Sequence, residues 1–354
     1  MEPNKVVCPD CDGDGDFALD RRDFIRTLGT TAAATAAAGL PLWAAPRADA
    51  APTPKSAAET AVKGLYDALT EEQRKQICFD WDHRDKRGLL RTFVSNNWQI
   101  TPHTIRSDFY TKKQRDIIHD VFKGIINPTW YKKFLKQLSD DTGGAPWGAQ
   151  QSIAIFGKPG GDKFEFVMTG RHMTIRADGN TEAHVAFGGP IFYGHAASGF
   201  TEKPGHPGNV FWPQAELANK IYSELDGKQK KRALLAMSPQ ESAVAFRQAK
   251  RDFPGIPVAE LADEHKKDLQ KLLSRLIEPY RTEDQDEVNE CLKKQGGLDK
   301  CGLAYYKDAH LEEGVWDNWR LEGPSFVWYF RGNPHVHVWV NVADDPSVKL
   351  NARG

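Results

Sequence analysis

The sequence predicts an α+β fold: an antiparallel sheet assembled from a central meander and a set of C-terminal strands, with helices flanking it. Three observations predict it. Short alternating segments cluster at residues 152–187 and return at 315–340. Helix-period segments occupy 57–76 and 111–139, before those clusters, and most of 213–294, between them. The second helical block therefore reads as an insertion that the sheet must close across. A cupin-like barrel is the alternative, and the long helical stretches fit it less well. No internal repeat, phosphate-binding glycine loop or nucleophile elbow appears.

The chain has 354 residues, and the first fifty read as a leader. Arg21-Arg22 opens a twin-arginine pattern, an alanine-rich run follows over 28–45, and Ala48-Asp49-Ala50 is a small-x-small cleavage site. This is the pattern of a twin-arginine (Tat) export signal, too short and too rich in Ala and Thr to anchor in a membrane. The mature chain is expected to start at Ala51 as a single α+β domain, periplasmic or secreted. Export in the folded state raises the prior for a cofactor inserted beforehand. The net charge of -1 argues against a nucleic-acid partner.

The elements follow in order. Residues 57–76 carry a helical stripe of Val62, Leu65, Tyr66 and Leu69. Residues 111–139 read as one or two helices, broken at Asn127-Pro128. Strands are expected at 152–157, 164–168, 172–176 and 182–187, the last two joined through an Asp178-Gly179-Asn180 turn. Helices are expected at 215–225, 228–237, 257–280 and 283–294, and strands at 315–321, 326–330 and 334–340. Cys8 and Cys11 leave with the leader. Cys291 and Cys301 lie close enough to pair in an oxidising compartment, and Cys78 is expected to be buried.

The last strand carries the chemistry. In Pro334-His335-Val336-His337-Val338-Trp339-Val340 the valines take one face, expected to be the buried one. His335 and His337 stand on the other, about 7 Å apart along the strand. Two imidazoles on one face suit one metal ion. His172 shares a polar face with Thr174 and Arg176, so closure of one sheet would bring a third imidazole to the pair. His195 and His206, on loops, are candidates for a fourth ligand or an acid/base group. Asp82, beside Arg84 and Arg87, is a candidate acid/base whose plainer reading is a cap or ion-pair partner.

Several segments resemble an exported bacterial family known as domain of unknown function 3500, over most of the chain from about Phe79 to Pro346. The resemblance is carried by Phe79 and Asp82, Trp98 and Pro102, Gly170 with His172, Phe192 and Gly194, Arg320 with Gly323-Pro324, and His335 with His337 followed by Asp344 or Asp345. Arg171 stands where the family has a histidine. The resemblance supports pairing His172 with His335 and His337, and it implies no particular substrate.

The reading is an exported metal-dependent enzyme, hydrolytic or oxidative, acting on a small or sugar-like molecule. His172, His335 and His337 would hold one zinc, copper or iron ion, and Asp82, His195 or Asp345 would serve as acid/base or supporting groups. The alternatives are a metal-sequestering protein and a small-molecule binder whose cleft draws on the ten tryptophans.

Overall fold

The computed structural model describes residues 51–196, 208–247, 252–308, 316–333 and 335–352. The twin arginines, Cys8, Cys11 and His206 lie outside them. Among the described residues, no helix is long and apolar enough to cross a membrane.

Two helices open the fold, α1 (Ala57–Ala68) and α2 (Glu71–Ile77). One helix was expected here. The break is local chemistry: Thr70 accepts the Gln73 N–H, and the Gln73 side chain accepts the Thr70 N–H. The short strands β1 (Cys78–Phe79), β2 (Arg84–Asp85) and β3 (Gly88–Leu89) precede α3 (Lys112–Ile125) and α4 (Tyr131–Asp141). The meander is β4 (Ser152–Gly157), β5 (Phe164–Gly170), β6 (Met173–Ala177) and β7 (Ile191–His195). The expected strand at 182–187 is absent. Phe187 takes a positive φ of 61°, held by its N–H on Glu287, and a 3-10 turn forms instead. The fourth strand of the meander starts at Ile191 and carries His195, which the sequence had placed on a loop.

The inserted block holds α5 (Trp212–Glu224), α6 (Gly227–Ala233), β8 (Leu234–Leu235), β9 (Ile256–Pro257), α7 (Asp263–Ile277) and α8 (Thr282–Lys294). The chain ends with β10 (Gly302–Tyr306), β11 (Trp319–Gly323), β12 (Phe326–Arg331) and β13 (Val336–Val342). Eleven strands form one sheet in the order β1-β4-β5-β6-β7-β13-β12-β11-β10-β8, with β9 also on β10. The sheet is mixed rather than purely antiparallel: the two-residue edge strands β1 and β8 run parallel to β4 and β10. Everything between is antiparallel. The decisive joint is β7 on β13, which closes the sheet across the helical insertion.

Helices cover one face. Val62, Val121, Phe134, Ala218, Leu272 and Val288 pack there against Met173, Tyr193, Val336, Val338 and Trp328. The second face is buried as well, which the alternating pattern did not foretell. Irregular segments cover it: Val94, Val244 and Phe246 pack on Phe192, Tyr329 and Trp339. Its polar side chains are satisfied by those segments instead of water. Arg176 bonds Glu165 at 2.8 Å and the Phe93 carbonyl at 2.8 Å, and Asn341 donates to the Val244 carbonyl at 2.8 Å. Cys78, Cys291 and Cys301 are free thiols; Cys291 and Cys301 are buried and Cys78 half-buried.

Candidate metal centre

Strand register builds the site. Met173 pairs with Tyr193, and Tyr193 with Val338. One residue along, His172, just ahead of β6, lines up with Gly194 on β7 and His337 on β13, with Gly194 paired to His337. His335 lies two residues before His337 and so shares its face. Gly194 makes room: a Cβ there would overlap the Val336 carbonyl oxygen and sit 3.2 Å from His172 Cδ2 and 3.3 Å from His337 Cδ2. The two rings occupy the volume that a side chain would otherwise fill.

His172 is not in a strand. It forms the two-residue turn between β5 and β6 with Arg171, at a φ of 52°. A non-glycine residue in that left-handed region costs about 1–2 kcal/mol. Its N–H bonds the Asn97 side chain at 3.1 Å, which helps hold the turn. Such strain is characteristic of functional positions.

The three rings converge. Nε2 of His172 lies 3.2 Å from that of His335 and 3.0 Å from that of His337, and the last two are 2.9 Å apart. All three residues are buried. Behind His172, Nδ1 stands 2.9 Å from Asp141 Oδ2, at the end of α4. Behind His337, Nδ1 stands 2.7 Å from Glu241 Oε1. A carboxylate beside each Nδ1 favours the tautomer that keeps its proton there, which turns the Nε2 lone pair inward. Inward lone pairs at these distances repel one another unless a cation lies between them. The arrangement fits a metal ion by its own chemistry.

Both carboxylates are themselves held. Asp141 Oδ1 accepts the Ala196 N–H at 2.6 Å. Burial works to raise the Asp141 carboxyl, but the His172 bond and the Ala196 N–H outweigh it and leave it below the ordinary range. Glu241 behaves alike: its burial is outweighed by His337 and Arg331. Arg331, paired with His337 in the ladder, reaches Glu241 at 2.5 Å. Burial, opposed by Glu241 and reinforced by Arg331, pushes His337 down to about 3, so its ring stays neutral and ready to ligate.

The other expected site residues lie elsewhere. His195 pairs with Val336 and faces the helix-covered side, its Nε2 3.5 Å from Asp140 Oδ2. Burial outweighs Asp141 and Asp140 and lowers its pKa. Alternation along β7 puts it on the face opposite the triad. Asp82 is exposed in the turn after β1, at the sheet edge five places from β13. Asp345 is exposed beyond the far end of β13 and accepts the Ser347 N–H at 2.7 Å. None of these three joins the cluster of His172, His335 and His337.

Residues 51–342 match the family profile described as Protein of unknown function (DUF3500). The chain belongs to this family. No curated protein and no solved structure matches it. In this DUF3500 chain the groups that sequence reasoning missed are Asp141, Glu241 and Arg331. Asp141 sits at a helix end and Glu241 in an irregular segment, so no spacing ties either to a histidine. Arg331 could have been found, since a hairpin after β12 places it opposite His337. Among the described residues, no fourth His, Cys, Asp or Glu joins the cluster.

Proposed function

We propose that this chain is an exported metal-dependent enzyme that acts on a small molecule through one ion held by His172, His335 and His337. The observation that carries the reading is the convergence of three Nε2 atoms within 3.2 Å of one another, two of them backed by a carboxylate on Nδ1. Structural zinc sites close with four protein ligands, whereas catalytic sites keep three and leave a position for water or substrate. Zinc, copper and iron all accept imidazole, and a bound divalent ion would supply Lewis acidity. Neutral imidazoles leave the ion's charge unspent, which favours activation of whatever binds beside them. Asp141 and Glu241 fix the tautomer and the aim of two rings.

Metal analysis of the mature protein tests this. One equivalent, lost in His337→Ala, is the expected result; a metal-free protein with intact histidines overturns it. Burial of all three histidines favours a second reading, a metal-sequestering protein. An exchangeable water on the bound ion separates the enzyme from that alternative. We further propose that Arg21-Arg22 directs export to the periplasm or beyond, on the sequence pattern alone. Retention of an Arg22→Lys, Arg21→Lys double variant in the cytoplasm is the test.

A further inference from the structure

We propose that the three-histidine centre presents at least two adjacent exchangeable positions and takes a small anion that offers two oxygen atoms to the same ion, such as a 2-hydroxy or 2-oxo carboxylate. The inference rests on the metal reading above and extends it to coordination number and ligand class. The argument starts from the triangle of Nε2 atoms. Tetrahedral ligands at about 2.05 Å from zinc stand about 3.3 Å apart, whereas ligands at right angles about 2.1 Å from an ion stand about 3.0 Å apart. The separations here are 2.9, 3.0 and 3.2 Å. Two of the three, 2.9 and 3.0 Å, match ligands at right angles, as on one face of an octahedron, whose opposite positions are neighbours of one another; the 3.2 Å pair is nearer the tetrahedral spacing.

The triangle is braced against opening. His172 has Asp141 behind it at 2.9 Å, and Asp141 is tied to the Ala196 N–H. His337 has Glu241 behind it at 2.7 Å, and Glu241 is tied to Arg331. Spreading the Nε2 atoms to the tetrahedral spacing would drive both rings back onto their carboxylates. Gly194 lies under both rings and the strand backbone sets the spacing of His335 and His337, so little other movement is available.

Charge selects the ligand. An imidazole ligand brings no charge to the ion, and Arg331 offsets one of the two carboxylates. A divalent ion therefore keeps a net positive field, which an anion would relieve. A chelating carboxylate gains over a single carboxylate because its second oxygen is already tethered beside the ion.

The test uses the mature chain loaded with cobalt(II) and freed of excess metal, titrated with oxalate and with acetate. A weak visible absorption, typical of five or six ligands, is expected. Oxalate should change that spectrum at concentrations at least about tenfold below acetate, with cobalt staying on the protein. An intense tetrahedral spectrum, or oxalate no better than acetate, overturns the two-position inference while the metal centre stands. Failure of the chain to retain cobalt or zinc at all overturns the centre itself and this inference with it.

Discussion

Replacing Gly194 by alanine should disable the metal centre without removing any ligand. The added Cβ would meet the Val336 carbonyl oxygen across the β7–β13 ladder and the Cδ2 atoms of His172 and His337 at 3.2 and 3.3 Å. Carbon atoms settle at about 3.5–4.0 Å, so both rings must yield by a few tenths of an ångström. The carboxylates behind them leave little room to do so. Overpacking of this kind costs about 1–3 kcal/mol of stability. The same displacement should weaken metal affinity by at least about tenfold, about 1.4 kcal/mol. The assay is competition against a chromophoric chelator, on protein shown to be folded by circular dichroism. Gly64→Ala is the control: nothing lies within 4 Å of its Cβ, and an alanine within α1 should stabilise by about 0.5–1 kcal/mol with metal affinity unchanged. A folded Gly194→Ala protein that binds metal as tightly as the parent would refute the claim that β7 packs under the rings.

Asp141→Asn keeps the shape of the side chain and removes the charge behind His172; metal affinity should fall about 10–100-fold in the same competition. His195→Gln, on the opposite face, should leave metal content unchanged, and loss of metal would show that the assignment of faces is mistaken. A third expectation concerns pH. Burial, with Glu165 nearby, raises Asp178 to about 7, and burial with Asp178 and Asp284 nearby raises Glu287 well above its ordinary value. Acids raised on folding favour the protonated folded state. Their stabilising contribution is complete below the unfolded value of 3.8 for Asp178 and is lost as pH rises to about 7. Glu287→Gln keeps an acceptor for the Phe187 N–H and removes one of the charges. It should match the parent near pH 4 and exceed it in stability above about pH 7, read by chemical denaturation. Equal pH slopes for the two proteins would contradict this.

What the sequence made legible follows from periodicity. The alternation of 335–340 gave the face shared by the two histidines, and the meander with its C-terminal counterpart gave one sheet. Register was not legible, because it is set by pairing between strands apart in the chain, β7 and β13 by more than a hundred residues; the row of His172, Gly194 and His337 emerges only from it. The turn position of His172 was missed because Gly170-Arg171-His172-Met173 carries neither Asn-Gly nor Asp-Gly, and tertiary contacts stabilise its positive φ. Burial of the polar face was not legible because Arg176, Glu165 and Asn341 are ordinarily surface residues. Irregular segments bury them by supplying backbone carbonyls, and irregular segments leave no periodic trace. Asp82 and Asp345 attracted attention through residue type alone, and type without register does not place a side chain.

The most direct measurement is anomalous diffraction from crystals of the metal-loaded mature protein, collected on both sides of the metal's absorption edge. The account predicts one strong peak about 2 Å from each Nε2 of His172, His335 and His337. A fully loaded crystal with its peak elsewhere, or with no peak among the three rings, would contradict it.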